Sequence, residues 1–336
     1  MKPNLKKILK YLLSASLAVV LLWFSFRDVK WEAFMQALSG VKWGYILLSM
    51  VAGSVAFWLR GLRWRRLLLP LDDSISRTTA FNGINIGNIS NFVFPRIGEF
   101  VRCGVIVRRS LPVDDSDHSK KRASYDKVLG TVVLERSWEL LVMLLLLVVV
   151  VVGGFNRYGS FFVNEIWQPI ADKFGGSVWL MAICAVVLFA SALYLLWRFR
   201  ERNAFCRKVW AVFRGVGQGL STCLNMDQKW LFFAYTLLIW LMYWTMAAST
   251  MWAAPFLEEL NLVDALFLSL VGGLGFAVPV PGGIGAFHYI ISLALMGVYG
   301  VPMELGVIYA TLSHTSQAIT QILFGAGSYA YEALKK

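Results

Sequence analysis

The sequence has little of what soluble enzymes and secreted modules are built from. Its four cysteines, Cys103, Cys184, Cys206 and Cys223, have neither the paired spacing of a metal site nor positions in outer loops, so no disulfide framework or zinc centre is expected. The longest polar segments, 108–127 and 198–229, are both shorter than the ~50 residues an independent domain needs, which excludes catalysis by a soluble domain. Alternation is missing too. Leu140 to Val152 contains no polar residue, whereas the strands of a membrane barrel alternate in segments of about ten residues.

What is present is apolar sequence in long runs. Of 336 residues 58% are apolar, the mean hydropathy is +0.61, and several runs are too long for the core helices of a soluble protein. The fold expected is an all-α polytopic integral membrane protein with about six full spans and two oppositely oriented re-entrant, broken helical hairpins, forming one transmembrane domain over 1–336. Spans are expected over 8–26, 43–59, 128–152, 178–197, 230–254 and 305–331, and hairpins over 78–107 and 262–299. The first span, with Lys2, Lys6, Lys7 and Lys10 before and at its start, resembles a signal sequence without a small-x-small cleavage site, and is expected to stay uncleaved. Trp31, Phe34, Met35 and Leu38 follow it at the spacing of a surface helix.

The formal charge of +12, from 32 Lys and Arg against 20 Asp and Glu, reports orientation rather than nucleic-acid binding. Segments assigned to the cytoplasm hold 24 of the cations and outer segments hold five, with Arg96, Arg102 and Arg136 left inside the membrane. That asymmetry predicts a multi-pass protein of the cytoplasmic (inner) membrane with both termini cytoplasmic. The loop 108–127, where His118 reads as a solvated side chain, and the segment 198–229 fall on the same side. In the latter, Phe205, Val209, Val212, Phe213, Val216 and Leu220 form an apolar stripe suited to anionic lipid. The cluster Arg60 to Arg66 reads as an interfacial anchor, with direct lipid-headgroup contact as the alternative.

The chemistry concentrates in Asn88 to Arg102, where Arg96, Glu99 and Arg102 follow one another every three residues and are expected on one helical face. Ionised groups at membrane depth cost roughly 2.5–3.5 kcal/mol each, so they persist only when paired, lining water or meeting a charged substrate. Pro95 is expected to start the returning helix, with Arg96 at its first turn. Asn82, Asn85, Asn88 and Asn91 recur every three residues as a polar edge, suited either to lining a cavity or to bonding between helices. Glu135 and Glu139 share a face and are expected to pair with Arg96 and Arg102, while Arg136 is expected to point elsewhere. The turn Val278 to Gly285 breaks the second hairpin as Pro95 breaks the first, and the two half-helix starts would favour an anion near the midplane. Ser313, His314, Thr315, Ser316, Gln317, Thr320 and Gln321 form a further polar patch, read as lining or packing.

Three motifs in order carry a resemblance: Asn91-Phe-Val-Phe-Pro95-Arg96-Ile-Gly98-Glu99-Phe-Val-Arg102, then Glu135-Arg136, then Pro281-Gly282-Gly283-Ile284-Gly285. Together they resemble the flippase-like transmembrane domain of lysylphosphatidylglycerol synthases and their stand-alone relatives, over almost the whole chain. The resemblance implies a lipid-handling membrane protein, with flipping of a charged lipid as the leading role. It also implies functional weight for Pro95, Arg96, Glu99, Arg102, Glu135, Arg136 and the Pro281 to Gly285 turn. These 336 residues hold no aminoacyl-transferase domain, so lysyl-lipid synthesis is not implied. Where relatives often carry Glu, this chain has His288, which implies a proton-sensitive step because His titrates near neutrality.

The expected function is transport or binding of a lipid with an anionic or zwitterionic headgroup, without enzymatic chemistry, cofactor or metal. The substrate-binding candidates are Asn88, Asn91, Pro95, Arg96, Glu99, Arg102, Glu135, Arg136, Glu139, Pro281, Gly282, Gly283, Gly285 and His288. The alternative is an accessory or enzymatic component of lipid or glycan assembly that presents a membrane phospholipid or polyprenyl phosphate. A homodimer or a biosynthetic enzyme is the partner expected besides the lipid. Ion transport is disfavoured, since Arg96, Glu99, Arg102, Glu135, Arg136 and Glu139 sum to zero and give no single-sign filter.

Overall fold

The computed structural model describes residues 16, 19–23, 25–26, 31–110, 123–175, 177–199, 201, 203, 206, 210 and 228–335. Most of the expected first span, His118 with most of its loop, and the stripe from Phe205 to Leu220 lie outside these residues. The described residues are helical throughout, without a strand: α1 (Trp31–Ser39), α2 (Trp43–Leu68), α3 (Arg77–Val93), α4 (Gly98–Arg109) and α5 (Tyr125–Gly153) come first. Two short π-helical segments follow, then α6 (Gln168–Phe174), α7 (Ser177–Phe199), α8 (Lys229–Ala253), α9 (Leu262–Ala277), α10 (Ala286–Tyr299) and α11 (Met303–Leu334).

Among the described residues, four helical stretches are long and apolar enough to cross a membrane: Trp43–Leu68, Tyr125–Gly153, Lys229–Ala253 and Pro281–Tyr299. The chain is an all-α polytopic membrane protein. The fourth stretch includes the turn Pro281–Gly283, whose Gly282 is not helical, so the continuous helix is the 14-residue α10. At 1.5 Å per residue it reaches ~21 Å, short of the ~30 Å hydrocarbon core. α7, with 23 residues, and the more polar α11, with 32, have the length to cross as well.

The arms of the first hairpin are also shorter than the hydrocarbon core. α3 has 17 residues and α4 has 12, ~25 and ~18 Å, joined by a break at Phe94 to Ile97. The arms lie close because Gly87 and Gly98 face each other: a Cβ on Gly98 would overlap the Gly87 carbonyl, and one on Gly87 would sit 2.9 Å from the Gly98 oxygen. Ser76 caps α3 by accepting from the Thr79 N–H at 3.0 Å. The hairpin rests on a buried core of Trp64, Leu67, Leu68, Ile84, Ile106, Val128, Val132 and Phe232.

The second hairpin, α9 and α10, begins with a capping box between Asn261 and Asp264. Asp264 is fully buried and also accepts from the Tyr158 hydroxyl at 2.8 Å, which ties the base of this hairpin to the segment after α5. Its break uses positive φ at Gly282, Gly283 and Gly285, conformations that a Cβ disfavours.

Helix α11 relates the two hairpins. Near its start, Gly306 packs against Ser292 of α10, and near its end Glu332 accepts from Asn82 Nδ2 at 2.7 Å and from Arg109 Nε at 2.5 Å, at the open end of the first hairpin. In its middle, His314 Nε2 lies 2.9 Å from the Gly282 carbonyl at the second break. The hairpin bases therefore sit at opposite ends of α11 and their tips meet between them, which is the opposed arrangement expected from the sequence.

The connection α2 to α3 is pinned by Asp72. Its carboxylate accepts from the Ser74 N–H at 2.9 Å, from the Ser74 hydroxyl at 2.6 Å and from the Ser110 hydroxyl, whose oxygen accepts from the Ala123 N–H at 3.0 Å. Burial pushes this carboxyl up, but the Ser110 and Ser74 hydrogen bonds outweigh it and hold the group below the usual carboxylate range.

Candidate functional site: a buried arginine and glutamate cluster

Three helices deliver seven charged side chains to one place: Arg60 and Arg63 from α2, Glu99 and Arg102 from α4, and Glu135, Arg136 and Glu139 from α5. Glu135 is at the centre and fully buried. Arg102 donates to its Oε2 at 2.5 Å, and Arg63 and Arg60 approach its Oε1 at 3.6 and 3.7 Å. Glu139 Oε1 takes Arg63 at 2.6 Å and Arg60 at 3.5 Å. Arg136 closes the other side, 2.8 Å from Glu139 Oε2 and 2.7 Å from Glu99 Oε1, while Glu99 Oε2 meets Arg102 at 2.8 Å. Among the described residues, four guanidiniums against three carboxylates leave one uncompensated positive charge.

Aromatic rings and hydroxyls wall the cluster. The Arg102 guanidinium lies 4.7 Å over the Trp64 ring, a cation–π contact, and Trp64 Nε1 donates to Thr131 Oγ1 at 3.0 Å. Thr236 of α8 accepts from Arg63 at 3.4 Å. Arg102 Nε and Asn88 Nδ2 are buried donors without a hydrogen-bond partner among the described residues. Burial falls in one direction: the Glu135 side chain is fully buried, Glu99 is 21% exposed and Arg136 is 38% exposed. That end meets a narrow cleft lined by Gly87, Asn88, Asn91, Gly98, Glu99, Arg102 and Arg136.

The local sequence explains the geometry. Gly87 and Gly98 let α4 press against α3, which places Asn88 and Asn91 beside Glu99 and Arg102. Asn91 Oδ1 accepts from the Gly98 N–H at 2.8 Å and so caps α4. Glu99 lies in the first turn and Arg108 and Arg109 in the last, matching the helix dipole.

The sequence-based candidates divide into two groups. Asn88, Asn91, Glu99, Arg102, Glu135, Arg136 and Glu139 come together in the cluster and its cleft. Arg96 does not. Its φ of +61° breaks the helical register expected from Pro95, α4 starts two residues later at Gly98, and the guanidinium donates to the Ala277 carbonyl at 2.5 Å instead. Such a conformation costs a non-glycine residue about 1–3 kcal/mol and persists only where surroundings hold it. Arg136, expected to point away, reaches both Glu99 and Glu139 because a long side chain bridges positions i and i+3.

Pro281, Gly282, Gly283, Gly285 and His288 form the second break rather than part of the cluster. Gly282 packs on the Phe92 ring of the first hairpin, where a Cβ would come within 2.7 Å of a ring carbon. His288 is buried, its ring centroid 5.0 Å from that of His314 and 6.2 Å from that of Phe287, and its Nδ1 has no hydrogen-bond partner among the described residues. The asparagine edge also divides: Asn82 bonds Glu332 and Asn85 bonds the Phe81 carbonyl, leaving Asn88 and Asn91 at the cleft.

Arg60 and Arg63 were missed as site residues because a basic run after a span reads as an anchor. They are 7% and 0% exposed. The available signal was their spacing, since Arg60, Arg63, Trp64 and Leu67 share the buried face of α2 and Arg65 and Arg66 do not. Including them and removing Arg96 changes the expected neutral site into one carrying a net positive charge.

No curated protein and no solved structure matches the chain. A family model described as the lysylphosphatidylglycerol synthase TM region matches residues 8–325. With the three motifs placed on two opposed hairpins and a buried charge cluster, the chain belongs to the lysylphosphatidylglycerol synthase transmembrane family.

Proposed function

We propose that this protein binds a lipid with an anionic or zwitterionic headgroup and moves it between leaflets, without covalent chemistry. The observation that carries the reading is the cluster of four arginines and three glutamates, which keeps one positive charge and opens at Glu99 and Arg136 onto the cleft. Charges at this depth are costly, and a net positive site with spare N–H donors suits a phosphate. As it stands the cleft has no enclosed room for a small molecule, so it would have to widen to take the phosphate, with the rest of the headgroup staying outside. Asn88 and Arg102 would donate to that group. Glu99 and Arg136 would exchange partners as it enters.

Hairpins based at opposite ends of the bundle, with tips in contact, support this reading, since they would put the site between two routes of access, as in transporters with paired broken helices. In this reading the membrane is the cytoplasmic membrane and both termini are cytoplasmic, from the 24 to five distribution of Lys and Arg. Reconstitution in liposomes with a panel of fluorescent phospholipids is the test. Leaflet exchange above protein-free vesicles, reduced at least tenfold in folded Arg102→Ala, is expected. Absence of exchange for every lipid, with the variant indistinguishable from the parent, overturns the reading.

The small cleft favours a second reading, in which the site presents a polyprenyl phosphate to a partner enzyme. A stable complex with a glycosyltransferase, lost on Arg102→Ala in a protein that exchanges no lipid, would distinguish it.

A further inference from the structure

The tips of the two hairpins meet at Arg96. Its guanidinium donates to the Ala277 carbonyl at the C-terminal end of α9, where the helix dipole is negative, and Phe92 packs on Gly282 beside it. The Arg96 side chain is exposed and takes no part in the ion cluster, although two residues later the chain enters α4, which carries Glu99 and Arg102. Its backbone is held at φ +61°, a left-handed conformation shared by just one other non-glycine residue among those described, Gln228.

We infer that Arg96 is a latch, a positioning residue that holds the two hairpin tips together and keeps the cleft beside Arg102 narrow, and that its release widens the cleft. The inference rests on the reading that the cleft takes a lipid group, but its own observations are separate. The base of the first hairpin is fixed by four hydrogen bonds, from Asn82 and Arg109 to Glu332 and the Lys335 carbonyl. The base of the second is fixed by Asp264 to Tyr158 and to the Asn261 N–H. With both bases tied, and the second tip held to α11 by His314 at the Gly282 carbonyl, displacement concentrates at the tip of the first hairpin. Breaking the Arg96 bond lets the backbone at 96 leave the left-handed region, and that rotation moves the start of α4 away from Gly87.

The latch explains why an arginine rather than a glycine occupies a position of positive φ. Glycine would adopt the conformation freely but could not reach Ala277. Arginine supplies the bond that offsets the strain.

Spin labels at Val93→Cys and Pro279→Cys, both exposed residues at the two breaks, report the tip distance in full-length protein in phospholipid nanodiscs, in a background without the native cysteines. A single short-distance population is expected for the parent, and both Arg96→Ala and Arg96→Gly should raise a longer-distance population about tenfold. An unchanged distribution in Arg96→Ala overturns the latch, as does opening in Arg96→Ala but not Arg96→Gly, which would assign the effect to backbone strain alone. Lipid exchange in the same variants separates latch from ligand: retained or faster exchange in Arg96→Ala supports the latch, and loss equal to that of Arg102→Ala overturns it. If the parent itself exchanges no lipid, the proposed function fails and the tip distances still decide the latch.

Discussion

The Arg102 guanidinium and the Glu135 carboxylate form a 2.5 Å ion pair between α4 and α5, with Arg102 2% exposed and Glu135 fully buried. Removing one member leaves the other buried with only its weaker or remaining partners, Glu99 for Arg102 and Arg60 and Arg63 for Glu135, which costs up to about 3–5 kcal/mol. Arg102→Leu and Glu135→Leu should each lower the unfolding midpoint in detergent, and the double variant should lose less than the sum of the two. Additive losses would show that the pair is not coupled.

Arg63 and Arg66 stand three positions apart on α2 and face different surroundings. Arg63 is fully buried against Glu139 at 2.6 Å, whereas Arg66 bonds Gln228 at an exposed site. Arg63→Ala is expected to destabilise by about 3–5 kcal/mol, and Arg66→Ala by about 1 kcal/mol or less. Chemical or thermal unfolding of the two variants side by side checks this. Equal effects would return both residues to the role of interfacial anchors.

Contact between the arms of the first hairpin depends on Gly98. A methyl group there meets the Gly87 carbonyl, so Gly98→Ala forces the arms apart and should cost about 1–3 kcal/mol or more. Gly104, on the same helix, has open space around its Cβ position. Gly104→Ala should be neutral or stabilise by about 0.5–1 kcal/mol. Thermal denaturation of the purified variants separates the two outcomes.

Acid should loosen the α2 to α3 connection. The Asp72 carboxyl is held below its usual range in the folded protein, so its contribution is present at neutral pH and lost as pH falls below ~4 through the lowered folded value. Asp72→Asn should be less stable than the parent at pH 7 and should lose less of its stability between pH 5 and pH ~3. Protease accessibility of the 69–76 segment across that range is a direct measure. Parallel pH profiles for the two proteins would rule out the Asp72 contribution.

The proposed topology assigns Ser116 to the cytoplasmic loop and Ser160 to the opposite face. Single cysteines at these positions, in a background without native cysteines, should label from opposite sides of intact cells with a membrane-impermeant thiol reagent. Labelling of both from one side contradicts the assignment.

Much of the fold was legible because membranes make strong local demands. A run such as Leu140 to Val152 can satisfy its backbone in lipid only as a helix, and Pro95 and the glycines at 282, 283 and 285 interrupt helices for reasons local to the chain. Asn88 to Arg102 with Glu135, Arg136 and Glu139 stood out for a similar reason, since charges in apolar runs are costly wherever they end up.

Partner choice was not legible. Arg96, Glu99 and Arg102 have the same spacing on paper, yet the left-handed backbone at Arg96 sends its guanidinium to Ala277 and leaves the other two to the cluster. Arg60 and Arg63 look like Arg65 and Arg66 until α5 and α8 cover one face of α2. The sequence by itself determined that costly charges and broken helices would fall among long apolar runs, because hydrophobicity and backbone breaks act over a few neighbouring residues. Tertiary structure alone decided which charges meet and what net charge they keep, because an ion pair depends on angstrom-scale distances between helices that are far apart along the chain.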